Sequence, residues 1–385
     1  MMLNLLFDWT FLIKYCIFYR DSLFHKKFVL RYNRRMEITM KFEIDNKYLI
    51  DSFKKLVSTP SPVGYYVKLN PVLDSMAAEL GKSVTYDNRN TAYIELDGED
   101  NSKTVLVGAH ADTLGLMVRS IESNGMLCVR KLGAGNVPSM EGETVNVHTR
   151  DGRTYTGLLI CKSHSVHVFE DAHSLERNEN NIRILLDEDV NSKEDVKALG
   201  IQNGDFVSIE PRFQYTANGY LKSRFIDDKC AIACCFAMLK YLKENNLKPK
   251  YKTILAFPYY EEINIGGTYV FDNVSEYVAI DIGLIGPEYE GNERSVSICA
   301  KDSFAPYDYE LTNRLINYAK KAGCDYALDV FYRYGTDANA ALIAGNNLRG
   351  AVFGMAVYCS HGMERTHITG LENTVNLLLA YVLDI

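Results

Sequence analysis

Five side chains spread over most of the chain have the types needed for a metal-dependent hydrolytic centre: His110, Asp227, Glu262, Asp281 and His361. Each lies where an apolar, strand-like run gives way to a polar turn. The clearest runs are TVLVGAHAD (104–112), TILAFPYYEE (253–262) and EYVAIDIG (276–283). Packing alone does not call for hydrophobic runs that repeatedly end in His, Asp or Glu. Two imidazoles and three carboxylates, with no sulfur among them, suit two divalent ions: zinc first, cobalt or manganese next.

The neighbours of these residues suggest how the work is divided. In HADTLGLMV (110–118) an extended backbone puts His110 and Asp112 on one side, so Asp112 could take the proton of the far ring nitrogen. A satisfied surface pair is the plainer reading. SRFIDDKCAIA (223–233) sets Asp227 and Asp228 at a helix start, where capping explains one and metal bridging the other. In YYEEINIGG (259–267) adjacent extended residues face opposite ways. One glutamate would then bind metal and the other act as general base. Asp281 and His361 also have ordinary readings, as a turn aspartate and a buried histidine. His148, His164, His167 and His367 compete on residue type, His367 most directly because it shares the loop of His361. The run TDANAA (336–341) reads as a helix start offering N–H groups near the site.

The elements that must carry these residues alternate between strand and helix. Asp45 caps a helix with Leu49, Phe53, Leu56 and Val57 on one face, and TPSPVGYY (59–66) breaks it. A second helix runs to about Leu80, and strands follow at 83–86, 91–96 and 104–109. From 114 to 219 short β-rich runs alternate with glycine turns, the texture of a small barrel or sandwich. After Lys222 the α/β rhythm resumes, with helices at 229–244, 307–322 and 371–383 and strands at 252–257, 276–281 and 349–358. The reading is α/β, a helix-covered sheet interrupted by an all-β insertion.

Composition agrees. The 385 residues are 47% hydrophobic, enough for a large core and two domains. A net charge of −7, well mixed along the chain, gives no nucleic-acid footprint. Nine scattered cysteines without a C-x-x-C pair point to reduced thiols and a cytoplasmic protein. Residues 1–39 are read as an upstream extension, with Met36 or Met40 as the beginning. Asp8, Lys14, Arg20 and Asp21 interrupt any membrane span, so no membrane is expected, and a peripheral anchor is the alternative.

Together, TPSPVG, AHADTLGLMV, FIDDK, EEINIGG, AIDIG, YGTDA and SHGMERTH resemble, in order and spacing, the TET-type dinuclear metallo-aminopeptidases, metallopeptidase family forty-two. The resemblance covers residues 45–385 and implies a three-layer α/β/α catalytic domain with a zinc-peptidase-like mixed sheet. That domain would comprise 40–113 and 220–385, with a β-barrel inserted at 114–219. It also implies roles. His110 and Asp281 would hold one metal, Glu262 and His361 the other, and Asp227 would bridge them. Asp112 would orient His110, and Glu261 would be the catalytic base. Members commonly form tetrahedral dodecamers, so a homo-oligomer is expected. Asn264, Tyr334 and the VYCS run before His361 depart from the usual family residues and bear on the substrate pocket.

The expected activity is hydrolysis of the amino-terminal peptide bond of short peptides, using a metal-bridging water and Glu261. The alternative is a two-metal amidohydrolase or deacylase acting on acylated amino acids or modified dipeptides. A non-catalytic binding protein would not need the full ligand set. A glycosidase would need two carboxylates facing across a sugar, without the histidines.

Overall fold

The computed structural model describes residues 28–32 and 38–385. Side-chain alternation along the central strands makes two cores from one sheet. In Tyr251–Phe257, Leu255 and Phe257 join a large hydrophobic cluster, while Ile254 and Ala256 join a second on the opposite face. In Asp100–Gly108, Val105 and Val107 face the first cluster and Leu106 the second. Strands apolar on both sides must be covered on both. The helices Asn46–Val57, Ile226–Glu244, Tyr309–Lys321 and Ile368–Leu383 cover one face, and Asp337–Ile343 with the segment around Val270 covers the other. This is the expected three-layer α/β/α arrangement.

The nine-stranded sheet runs in the order Tyr326–Val330, Val296–Lys301, Arg349–Val357, Val274–Ile280, Asp100–Gly108, Tyr251–Phe257, Ala92–Leu96 and Thr85–Tyr86, with Gly283–Leu284 pairing on Arg349–Val357. The four middle strands, from Arg349–Val357 to Tyr251–Phe257, are mutually parallel. Val296–Lys301 pairs antiparallel with Arg349–Val357 and parallel with Tyr326–Val330, and Ala92–Leu96 pairs antiparallel with Tyr251–Phe257, so the sheet is mixed. Open α/β sheets bind ligands beyond the carboxyl ends of their parallel strands. All five candidate ligands except Asp227 lie just past such an end.

Between Gly115 and Ile209 six strands close into an antiparallel barrel. Closure leaves no open edge to aggregate.

Local chemistry sets the helix starts. Asp45 caps Asn46–Val57 by accepting from Tyr48 N at 3.0 Å, an interaction worth about 1 kcal/mol. Within Ile226–Glu244 the backbone is non-helical at Asp227 and Asp228, so the regular helix begins at 229 as expected, and neither aspartate makes a side-chain cap there. Val296–Lys301 and Tyr326–Val330 add two strands that the sequence pattern did not single out. The reading of 1–39 as an extension lies largely outside the described residues; among those described, Phe28–Tyr32 pairs with Ile38–Phe42. Among the described residues, no helix is long and apolar enough to cross a membrane.

One glycine matters to the position of Asp281. Gly354 lies so close to the neighbouring strand that a Cβ there would fall 1.9 Å from the Asp281 carbonyl oxygen. Gly354→Ala should push Val274–Ile280 away from Arg349–Val357 and cost at least about 1–3 kcal/mol, as core overpacking does. The check is the denaturant midpoint, which should fall with an unchanged slope.

Candidate metal centre

The side chains expected to do chemistry converge. His110 follows Asp100–Gly108, Glu261 and Glu262 follow Tyr251–Phe257, Asp281 follows Val274–Ile280, and His361 follows Arg349–Val357. Asp227 arrives from another direction, on the irregular first turn of Ile226–Glu244. Its carboxylate lies between the two imidazoles, with Oδ1 2.9 Å from His110 Nε2 and Oδ2 3.5 Å from His361 Nε2. Glu262 Oε2 is 3.5 Å from His361 Nε2, and Glu261 Oε2 is 3.7 Å from His110 Nε2.

The ligand atoms of His110, Asp227 and Glu262 lie within 4.8 Å of one another, as do those of His110, Asp228 and Asp281. Asp228 is therefore a further carboxylate at the centre. Its Oδ2 accepts from His110 N at 3.1 Å, which ties it to the backbone. Among the described residues, the buried oxygens Glu262 Oε1 and Asp228 Oδ1 have no hydrogen-bond partner. Buried acceptors without donors are costly, and divalent cations among them would remove that cost. The oxygen- and nitrogen-rich donor set fits such ions.

Charge around the site follows the same logic. Burial, reinforced by the nearby Asp227 carboxylate, pushes both Glu262 and Asp281 up to about 8. Burial would depress His361, but Asp227 and Glu262 outweigh it and hold the imidazole at about 10. Burial would likewise raise Asp227, yet its position against His110 and His361 keeps it well below the usual carboxylate range. Glu261 is raised well above its ordinary value, first by burial and then by Asp281, Asp337 and Glu262, with His110 opposing.

A cleft of about 660 Å³ opens onto the cluster and includes Asp227, Glu261, Glu262, Asp281 and His361 in its lining. Ile282, Leu284 and Phe304 supply apolar wall, and Arg333 and Tyr334 polar groups. The sequence profile described as M42 glutamyl aminopeptidase matches residues 90–377. The chain belongs to that family. Among its relatives is the Bacillus subtilis (strain 168) protein YhfE, named as a candidate aminopeptidase, at 37% identity over 86% of this chain and 96% of that protein. The lysyl aminopeptidase of Pyrococcus furiosus is 20% identical over 85% of this chain and 94% of its own length. The fold matches the TET1 peptidase of Pyrococcus horikoshii with a TM-score of 0.77 at 23% identity, covering 88% of this chain and 100% of that one. As an M42 protein the chain is a metal-dependent hydrolase of the aminopeptidase class.

Within this M42 centre the competing histidines take other work. His148 is buried in the barrel against Ser208 and stacked on Tyr65. His164 and His167 are exposed on a barrel loop. His367 caps the last helix by accepting from Thr369 N and also contacts Arg294. The TDANAA helix start presents Asp337 instead of free amides, and that carboxylate accepts from Gly267 N at 2.5 Å. Asp112 does more than stand beside His110. The ring Nδ1 lies 3.0 Å from the Asp112 main-chain oxygen and 3.5 Å from its carboxylate. The two carboxylate oxygens accept from Glu261 N and Glu262 N at 3.1 and 3.2 Å.

Three supporting residues were not picked out from sequence. Lys229, fully buried and held down to about 7 by burial, donates to Ser61 Oγ at 2.5 Å. Ser61 donates to Ala111 O at 2.7 Å, bracing the turn between His110 and Asp112. Glu364 touches the backbones of Asp227 and His361. The FIDDK and TPSPVG motifs contain the first two residues, but only their meeting in space gives them a role.

These shifts define a pH window for the metal-free protein. Glu262 and Asp281 have folded values near 8, above an ordinary carboxylate near 4, so their stabilising contribution is complete below about 4 and lost as pH rises through about 8. The His361 contribution is lost at higher pH, through about 10. The thermal midpoint of chelator-stripped protein should therefore fall between about pH 6 and about pH 9. A divalent ion taken up by these groups would displace the protons, so zinc titrations by calorimetry in buffers of differing ionisation enthalpy should register proton release and tighter binding as pH rises.

Proposed function

We propose that this protein hydrolyses the amino-terminal peptide bond of short peptides with two divalent ions, most simply zinc. His110 and Asp281 would hold one, Glu262 and His361 the other, and Asp227 would be shared. The observation carrying this reading is Asp227, whose two oxygens face two imidazoles from separate strand ends. Ions bound there would supply Lewis acidity and a water of lowered pKa.

The remaining chemistry belongs to the chain. Glu261 is the buried carboxylate left over from the ligand set, beside the centre and inside the cleft. It would take the proton of the attacking water and pass it to the departing amine. Asp112 would keep Glu261 and Glu262 in place through their amides. The cluster of carboxylates favours a free amino terminus over an acylated one. Asn264, Arg333 and Tyr334 reach the cleft and would set side-chain preference. The eight described cysteines are unpaired, which supports a reducing, cytoplasmic setting. The TET1 peptidase of Pyrococcus horikoshii can assemble into a tetrahedron or a large octahedral shell, and we infer a homo-oligomer here.

Glu261→Gln should keep both metals and lose about 10²–10⁴-fold in kcat, as removal of a general base does. Near-normal turnover by that variant would remove Glu261 from its role. On a panel of aminoacyl substrates, zinc-, cobalt- or manganese-restored protein should cleave free amino termini and reject their acetylated counterparts. Equal cleavage of the blocked series would favour the deacylase reading.

A further inference from the structure

We propose that Glu364 is a positioning residue that holds the Asp227 and His361 arms of the metal centre in register through their main-chain N–H groups. The inference rests on the ligand assignment proposed above and concerns a residue outside that set.

Glu364 is 2% exposed and opens the short strand Glu364–His367. That strand pairs antiparallel with Tyr220–Ser223, with Glu364 opposite Ser223. The pairing lays the Glu364 side chain beside the segment that turns through Phe225, at φ 64°, into Asp227. There its two oxygens divide. Oε2 accepts from Asp227 N at 3.1 Å, and Oε1 accepts from His361 N at 3.2 Å. One carboxyl group thus joins two backbones that come from different parts of the fold.

Burial of Glu364 is offset only in part, by the His361 imidazole and by the two main-chain N–H groups. Arg224, just after one paired strand, and Arg365, within the other, engage Glu143 and Glu293. No lysine or arginine among the described residues lies within ion-pair distance of Glu364. A buried carboxyl without such a partner contributes little to stability, so its effect is on position. His361 needs that positioning. Its φ of 62° is uncommon for a residue with a Cβ, and it persists only where the surroundings hold it. Asn136 N donates to its carbonyl oxygen at 3.3 Å, and its ring Nδ1 donates to Ala134 O at 3.3 Å, leaving Nε2 toward Asp227 and Glu262. Glu364 is the remaining grip, and the one that also reaches Asp227.

A carboxyl group presents an acceptor at each oxygen, whereas an amide of the same shape sets a donor against one of the two N–H groups. Glu364→Gln should therefore release one arm without emptying the core. In the full-length protein, stripped of metal and titrated with Co²⁺, the wild type should take up two ions per chain. E364Q should keep the wild-type far-UV circular dichroism without metal, bind the weaker ion about 10–100-fold less tightly, and show altered visible absorption when loaded. Unchanged Co²⁺ affinity and absorption would overturn the assignment, as would a circular dichroism spectrum already lost in the metal-free variant. A second measurement uses only the wild type. Hydrogen exchange read by mass spectrometry should find the Asp227 and His361 amides protected in metal-free protein, and fast exchange at both would overturn the clamp. A wild type that takes up no Co²⁺ while those amides stay protected would sink the proposed function and leave the clamp standing.

Discussion

Buried negative charge governs this structure. Asp227, Glu261, Glu262 and Asp281 meet at one end of the sheet, and among the described residues none has a lysine or arginine ion-pair partner. Two imidazoles are too few to neutralise them, so Glu262 and Asp281 retain protons far above the ordinary carboxylate range. In water these groups would separate. They stay together because each is tied to a strand end or a helix start whose own packing is already decided. Divalent ions bound there would relieve the repulsion, and for that reason the centre suits metals better than a proton-sharing pair.

The scaffold supplies rigidity where that repulsion is greatest. Three of the four parallel strands end at one level, the fourth, Arg349–Val357, runs on to Val357, and the segments that follow all four meet at one centre. Each approach is then locked by a polar contact. Asp112 holds the amides of Glu261 and Glu262, Lys229 works through Ser61 on Ala111, and Asp228 takes the amide of His110. These contacts fall on main-chain groups and leave the ligand atoms free. The barrel joins in through Ala134 and Asn136, which grip His361 from the other side.

The legible part of the fold followed from local periodicity. Runs such as TVLVG and TILAF are apolar on both faces, so they could only be interior strands of a covered sheet, and the helices around Phe53 and Leu371 show a buried face in sequence. Val296–Lys301 and Tyr326–Val330 are not legible in the sequence, because short runs of mixed apolar and polar residues are shared by many surface segments. Asp227 and Asp228 looked like helix caps because their residue type favours that position. In the structure neither side chain caps, since Asp228 accepts from His110 N and Asp227 faces the imidazoles of His110 and His361.

The sequence by itself determined which residues could be ligands, because residue type and position at the end of an apolar run are local properties. It also determined that two covered faces and an all-β insertion were needed, since hydrophobic periodicity obliges burial. Only the tertiary structure decided that Asp227 stands between two histidines that are far from it in the chain on either side. It alone brought Lys229 to Ser61 and Glu364 to two separate backbones. Those meetings depend on strand order and register, which arise from long-range pairing and leave no trace in the spacing of any one segment.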